Sequence, residues 1–186
     1  MNARALANRV LEGEDPKEIF RQFASRASNF FEPGEEICHS TGICHDVLEA
    51  MFFDLKQRDP AKYRELMNDE IEAYLQDENA VGDFDPEHFT YEQMPNVMQK
   101  YCPPFTYFGT NEGDGCWGCW PYSTMDLSDN VDEGVLALVD HTEQERAYHI
   151  RQGDWTGVEA PFALIVADNG EQELWSKTTR RRVWKW

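Results

Sequence analysis

Phe162-Ala163-Leu164-Ile165-Val166 is followed, after Ala167, by Asp168-Asn169-Gly170 and then by Glu173-Leu174-Trp175. This stretch decides the fold class. An unbroken apolar run too short for a core helix, and rich in β-branched residues, reads as a buried strand. Asn169 and Gly170 accept positive φ at little cost, so the chain reverses there and returns as the second arm of a hairpin. Working outward, Val135-Leu136-Ala137-Leu138-Val139 reads as another buried strand. Arg182-Val183-Trp184-Lys185-Trp186 alternates like an edge strand, and Phe105-Thr106-Tyr107-Phe108 has strand-favouring composition. Asp126–Glu133 reads as a short helix, and Asn111–Gly115 as a turn.

Upstream of Tyr101 the periodicity changes to that of helices. Ala3–Leu11 puts Leu6 and Val10 on one face and stops before Gly13. Asp15-Pro16, a cap followed by a helix-starting proline, opens a helix lined by Ile19, Phe20 and Phe23. Phe30–Gly34 is a break. Ser40 or Thr41 is placed to cap a third helix with the stripe Val47, Leu48, Met51, Phe52 and Leu55. Asp59-Pro60 repeats the cap, and one helix is expected from there to Asp77, carrying Tyr63, Leu66, Met67, Ile71, Tyr74 and Leu75. Asp85-Pro86 begins a further helical piece, broken near Pro95. The expected class is α+β: a helical region at residues 1–100 packed with a C-terminal antiparallel sheet at 101–186, as one compact unit. A chain of 186 residues buries enough surface to need no disulfides.

The charge is concentrated. The chain has 35 Asp and Glu against 17 Lys and Arg, a net charge of −18. Residues 29–99 hold seventeen acidic and four basic groups, and residues 100–145 nine and one. The two ends are close to neutral. Such a field repels phosphate backbones and attracts the basic surfaces that ordinarily hold them. On a continuous helix, Glu65, Asp69 and Glu72 would share a face, and Asp77, Glu78, Asp83 and Asp85 continue the tract. These seven are the candidate partner-binding residues; a solvated outer face that keeps the chain soluble is the plainer use of the same groups. The basic tail Arg180–Trp186 would pair with the protein's own carboxylates or those of another copy.

No apolar run reaches the ~20 residues of a membrane span, and the N-terminus has no signal-peptide core, so a cytoplasmic protein is expected. Five cysteines, an odd number, do not suit a secreted disulfide framework. Cys116-Trp117-Gly118-Cys119 has the spacing of a zinc-binding turn, and Cys38-His39 with Cys44-His45 could complete four ligands. Cys116, Cys119, Cys38 and Cys44 are therefore the candidate zinc set, although five residues separate Cys38 from Cys44, more than the usual two to four. Pro121 and Asp114 disfavour the low-pKa thiolate that redox chemistry requires. No metalloprotease, nucleophile-elbow, phosphate-loop or dinucleotide motif is present, so no catalytic residues are assigned and no enzyme is expected.

Phe108-Gly109-Thr110-Asn111-Glu112-Gly113-Asp114-Gly115, with Trp120-Pro121 just after it, resembles a segment of small acidic accessory proteins encoded by phages and plasmids. The later strand and the Asp168-Asn169-Gly170 hairpin fit the same resemblance, which covers the C-terminal half. The C-x-x-C departs from that pattern. The resemblance implies a mobile-element accessory role, such as disarming restriction or CRISPR complexes, in some cases by imitating DNA. Taken with the charge, the expectation is a non-enzymatic inhibitor that presents carboxylates to a basic nucleic-acid cleft of a host protein. The alternative is a zinc-stabilised structural or adaptor protein.

Overall fold

Apolar spacing lays down the longest helix. In the computed structural model, which describes residues 30–39, 43–111 and 113–186, helix α1 spans Cys44–Arg58. Val47, Leu48, Met51, Phe52 and Leu55 recur every three or four residues and are all buried. Each such side chain contributes about 1.5–3 kcal/mol by leaving water. Its N-cap is Ile43, which makes no side-chain cap bond. Ser40 and Thr41, expected as caps, and the two expected helices before residue 28 lie outside the described residues.

The helix expected from Asp59 to Asp77 is two helices. Asp59 accepts from the backbone N–H of Ala61 and Lys62 and starts α2, Pro60–Leu66. Met67 then turns extended, and the Asn68 side chain accepts from the Ile71 N–H to start α3, Asp69–Gln76. Asparagine competes for backbone donors and so starts a helix better than it continues one. Asp85 caps α4, Pro86–His88, as expected. Pro95 does not break the chain that follows. A π-helical turn, Phe89–Gln93, leads into α5, Met94–Met98, with Pro95 in its first turn, and a 3-10 turn, Gln99–Tyr101, ends the run. A widened turn ahead of the proline removes the register in which its ring would clash.

The described chain forms two compact units. The helical unit runs to Cys102 and takes in Tyr107–Trp120. It therefore includes residues that the sequence assigns to the β-rich region. Three strands join the helices: β1, Glu35–Cys38, β2, Thr106–Thr110, and β3, Trp117–Pro121, in the order β1-β3-β2. β1 and β3 are antiparallel, with Glu36 opposite Gly118. A Cβ at Gly118 would lie 2.3 Å from the Glu35 carbonyl oxygen, so only glycine permits this approach. The core gathers Phe31, the α1 stripe, Ile71, Tyr74, Met94, Met98, Phe108, Trp117 and Cys119.

The sheet unit comprises Pro103–Thr106 and Pro121–Trp186. It holds α6, Ser128–Asp132, β4, Leu136–Val139, α7, Gln144–Arg151, β5, Phe162–Val166, β6, Gln172–Ser176, and β7, Arg181–Lys185. The order is β4-β5-β6-β7. The sheet is mixed rather than antiparallel, because β4 and β5 run parallel while β5-β6 and β6-β7 are antiparallel. A parallel neighbour needs a crossover, which α7 supplies. The apolar continuity of β5 follows: Phe162 and Leu164 enter one core with Leu136, Leu174 and Trp184, while Ala163 and Ile165 enter another with Ala147, Ile150 and Trp155.

Candidate functional site

The acidic residues that the sequence singles out lie on the helical unit. Between residues 69 and 92 there are nine Asp and Glu and no Lys or Arg. All nine are exposed. Asp69, Glu70 and Glu72 occupy the first turn of α3, where the positive end of the helix dipole favours them. Asp77, held below the usual carboxylate range by the backbone and side-chain amides of Asn79, Glu78 and Asp83 follow in the loop. Asp85 caps α4 by accepting from the His88 N–H. Glu92 pairs with His88 at 3.3 Å. Among the described residues, none of Asp69, Glu72, Asp77, Glu78, Asp83 and Asp85 forms an ion pair with Lys or Arg. Glu65 stands apart: it lies on α2, beyond the break at Asn68, and Lys62 holds it at 2.6 Å. The single helical face expected for Glu65, Asp69 and Glu72 is therefore absent. A run of short helices and loop carries the charge instead.

The sequence reading missed a second acidic feature, because it left β1 unread. A groove of about 380 Å³ between β1 and α1 is lined by Glu35, Glu36, Asp46, Glu49 and Asp54, with Phe53 among them. Phe53 is 68% exposed. Arg58 neutralises part of the wall, pairing with Glu35 and, at 2.6 Å, with Asp54. Its guanidinium sits 3.6 Å from the centroid of the Phe31 ring, a cation–π contact that fixes it. Glu36, Asp46 and Glu49 make no ion pair with Lys or Arg among the described residues.

The four candidate zinc cysteines do not converge. Trp117-Gly118-Cys119 lies in β3 and Cys116 is the residue just before it, so the C-x-x-C runs into a strand rather than closing a tight turn. Cys119 is fully buried in the core. Cys44 begins α1 and donates to the Pro86 carbonyl and the Thr90 hydroxyl, at 3.2 and 3.0 Å. Cys38 donates to the His39 carbonyl, and burial, with Asp46 and Glu36 adding to it, pushes its thiol up, away from the thiolate a metal needs. None of the five cysteines forms a disulfide. A different set meets instead: Glu36, His39 and Cys116, whose ligand atoms all lie within 4.8 Å of one another.

The basic tail pairs with neighbouring acids on the sheet. Lys185 meets Glu171 at 3.2 Å and Arg182 approaches Glu173, which Arg151 also holds at 3.0 Å. Trp184 is buried, its indole N–H donating to the Pro104 carbonyl. No helix among the described residues is long and apolar enough to cross a membrane. Comparison of the chain with protein-family models, curated proteins and solved structures gave no match.

Proposed function

We propose that this protein is a non-enzymatic inhibitor that occupies the basic nucleic-acid cleft of a partner, with the carboxylates of residues 69–92 standing in for phosphates. The observation that carries the reading is the exposed run of nine acidic groups uninterrupted by Lys or Arg. Attraction between Lys or Arg and a polyanion dominates affinity in such clefts, so a protein polyanion competes on the same terms. The β1–α1 groove adds three more carboxylates with no Lys or Arg partner among the described residues, beside Phe53, a combination suited to a partner's Arg or Lys side chain. The resemblance of Phe108–Gly115 to phage and plasmid accessory proteins points to host defence complexes, restriction or CRISPR, as the partner class. A zinc-stabilised adaptor built on Cys116, Cys119, Cys38 and Cys44 draws no support from where those sulfurs lie.

The test is displacement of DNA from purified restriction and CRISPR nucleases, followed by fluorescence anisotropy. The protein is compared with a variant carrying Asp69→Asn, Glu72→Gln, Asp77→Asn, Glu78→Gln and Asp83→Asn, which leaves the Asp85 cap in place. Displacement by the wild type that the variant loses supports the reading. Equal displacement by both sinks it.

A further inference from the structure

We propose that Glu36, His39 and Cys116 form a binding site for a zinc-class divalent transition-metal ion. The three residues come from β1, from the residue that follows it, and from the residue just before β3. The β1–β3 pairing brings them together. His39 Nδ1 lies 2.8 Å from the Glu36 carboxylate and 3.4 Å from the Cys116 sulfur. All three ligand atoms fall within 4.8 Å of one another. Tetrahedral zinc, with bonds of about 2.0–2.3 Å, places its ligand atoms roughly 3.3–3.6 Å apart. The two His39 distances are within about half an ångström of that spacing, and the Glu36–Cys116 separation, under 4.8 Å, closes to it by about an ångström through the exposed Glu36 side chain.

The donor chemistry fits. Imidazole nitrogen, thiolate and carboxylate are the three ligand types zinc accepts, and three protein ligands leave a fourth position for water. On binding, the Cys116 thiol releases its proton to solvent and the sulfur takes the metal. The imidazole binds through Nδ1 as the neutral ring, with its proton on Nε2, and Glu36 binds as the carboxylate. The surroundings hold the sulfur in place: Asp114 accepts from the Cys116 backbone N–H at 3.0 Å, and Gly118 allows β1 to lie close against β3. Glu36 and His39 are exposed while Cys116 is buried, so an ion would reach a sulfur at the floor of the site from solvent. The site is independent of the acidic tract at residues 69–92, and its failure would leave that reading untouched.

The experiment is titration of the metal-free full-length protein with Co²⁺ under a non-thiol reductant, followed by the near-ultraviolet thiolate-to-cobalt charge-transfer band. The expected result is saturation at a single equivalent with the intensity of one thiolate, reversed by added Zn²⁺. Cys116→Ser should abolish the band. His39→Ala, a change at an exposed side chain that leaves the fold intact by circular dichroism, should weaken Co²⁺ binding by about tenfold or more. Cys44→Ser should leave the titration unchanged. Absence of a thiolate band, a band that survives Cys116→Ser, Co²⁺ binding as tight in His39→Ala as in the wild type, or a band lost in Cys44→Ser would overturn the assignment.

Discussion

Arg58 concentrates the helical unit's electrostatics in one side chain. It is 11% exposed and holds Glu35 and Asp54 while lying over Phe31. Burial pushes the Asp54 carboxyl above its usual range, and the Arg58 hydrogen bond and charge pull it partly back. Removing the guanidinium strands a half-buried carboxylate. Arg58→Ala should therefore cost about 2–3 kcal/mol in urea unfolding near neutral pH, between the values for exposed and buried pairs. The pH dependence has a definite sign. A carboxyl whose folded pKa is raised binds its proton more tightly in the folded state, so stability falls as pH rises through the window above about 3.8. Without Arg58 that window widens, and the deficit of Arg58→Ala should be largest near neutrality and shrink as Asp54 is protonated. A deficit that does not vary with pH would show that lost packing on Phe31, not the charge, sets the cost. Little of this was legible in the sequence, where Arg58 is one of four cations among seventeen acids in residues 29–99.

At the scale of elements, local chemistry was readable wherever one residue type acts alone. Asp59-Pro60 and Asp85-Pro86 cap helices as expected, and the β5–β6 hairpin turns at Asp168–Gly170. The errors fall where two readings of the same residues compete. The apolar stripe from Tyr63 to Leu75 continues across Asn68 and hides the break there. The C-x-x-C spacing hid β3, and two adjacent glutamates hid β1. Helix α7 buries only Ala147 and Ile150, too narrow a stripe to announce itself, and the parallel pairing it makes possible went unread with it. The break at Asn68 is testable. Its side chain accepts from the Ile71 N–H at 2.9 Å, so Asn68→Ala should lower stability by about 1 kcal/mol, measured by thermal or urea unfolding. An unchanged or raised stability would mean that the Asn68 cap does not hold the break.

Over the whole molecule, charge is the property most visible in sequence and least resolved by it. A net charge of −18 could have been spread evenly and locally neutralised. Instead, the tail cations pair with Glu171 and Glu173 on the sheet, while the carboxylates from Asp69 to Glu87 have no Lys or Arg partner among the described residues. What composition could not reveal is which acids are matched, because pairing depends on strand register and on the break between α2 and α3. The most direct measurement of the mimicry claim is the association constant with a nuclease whose DNA the protein displaces in the proposed assay, taken across a salt series. Screening of the exposed charges on both partners weakens binding as salt rises. The expected result is a steep linear fall of log K with log salt, made shallower by the five-site neutralised variant. A slope near zero, or one identical in wild type and variant, would contradict the claim.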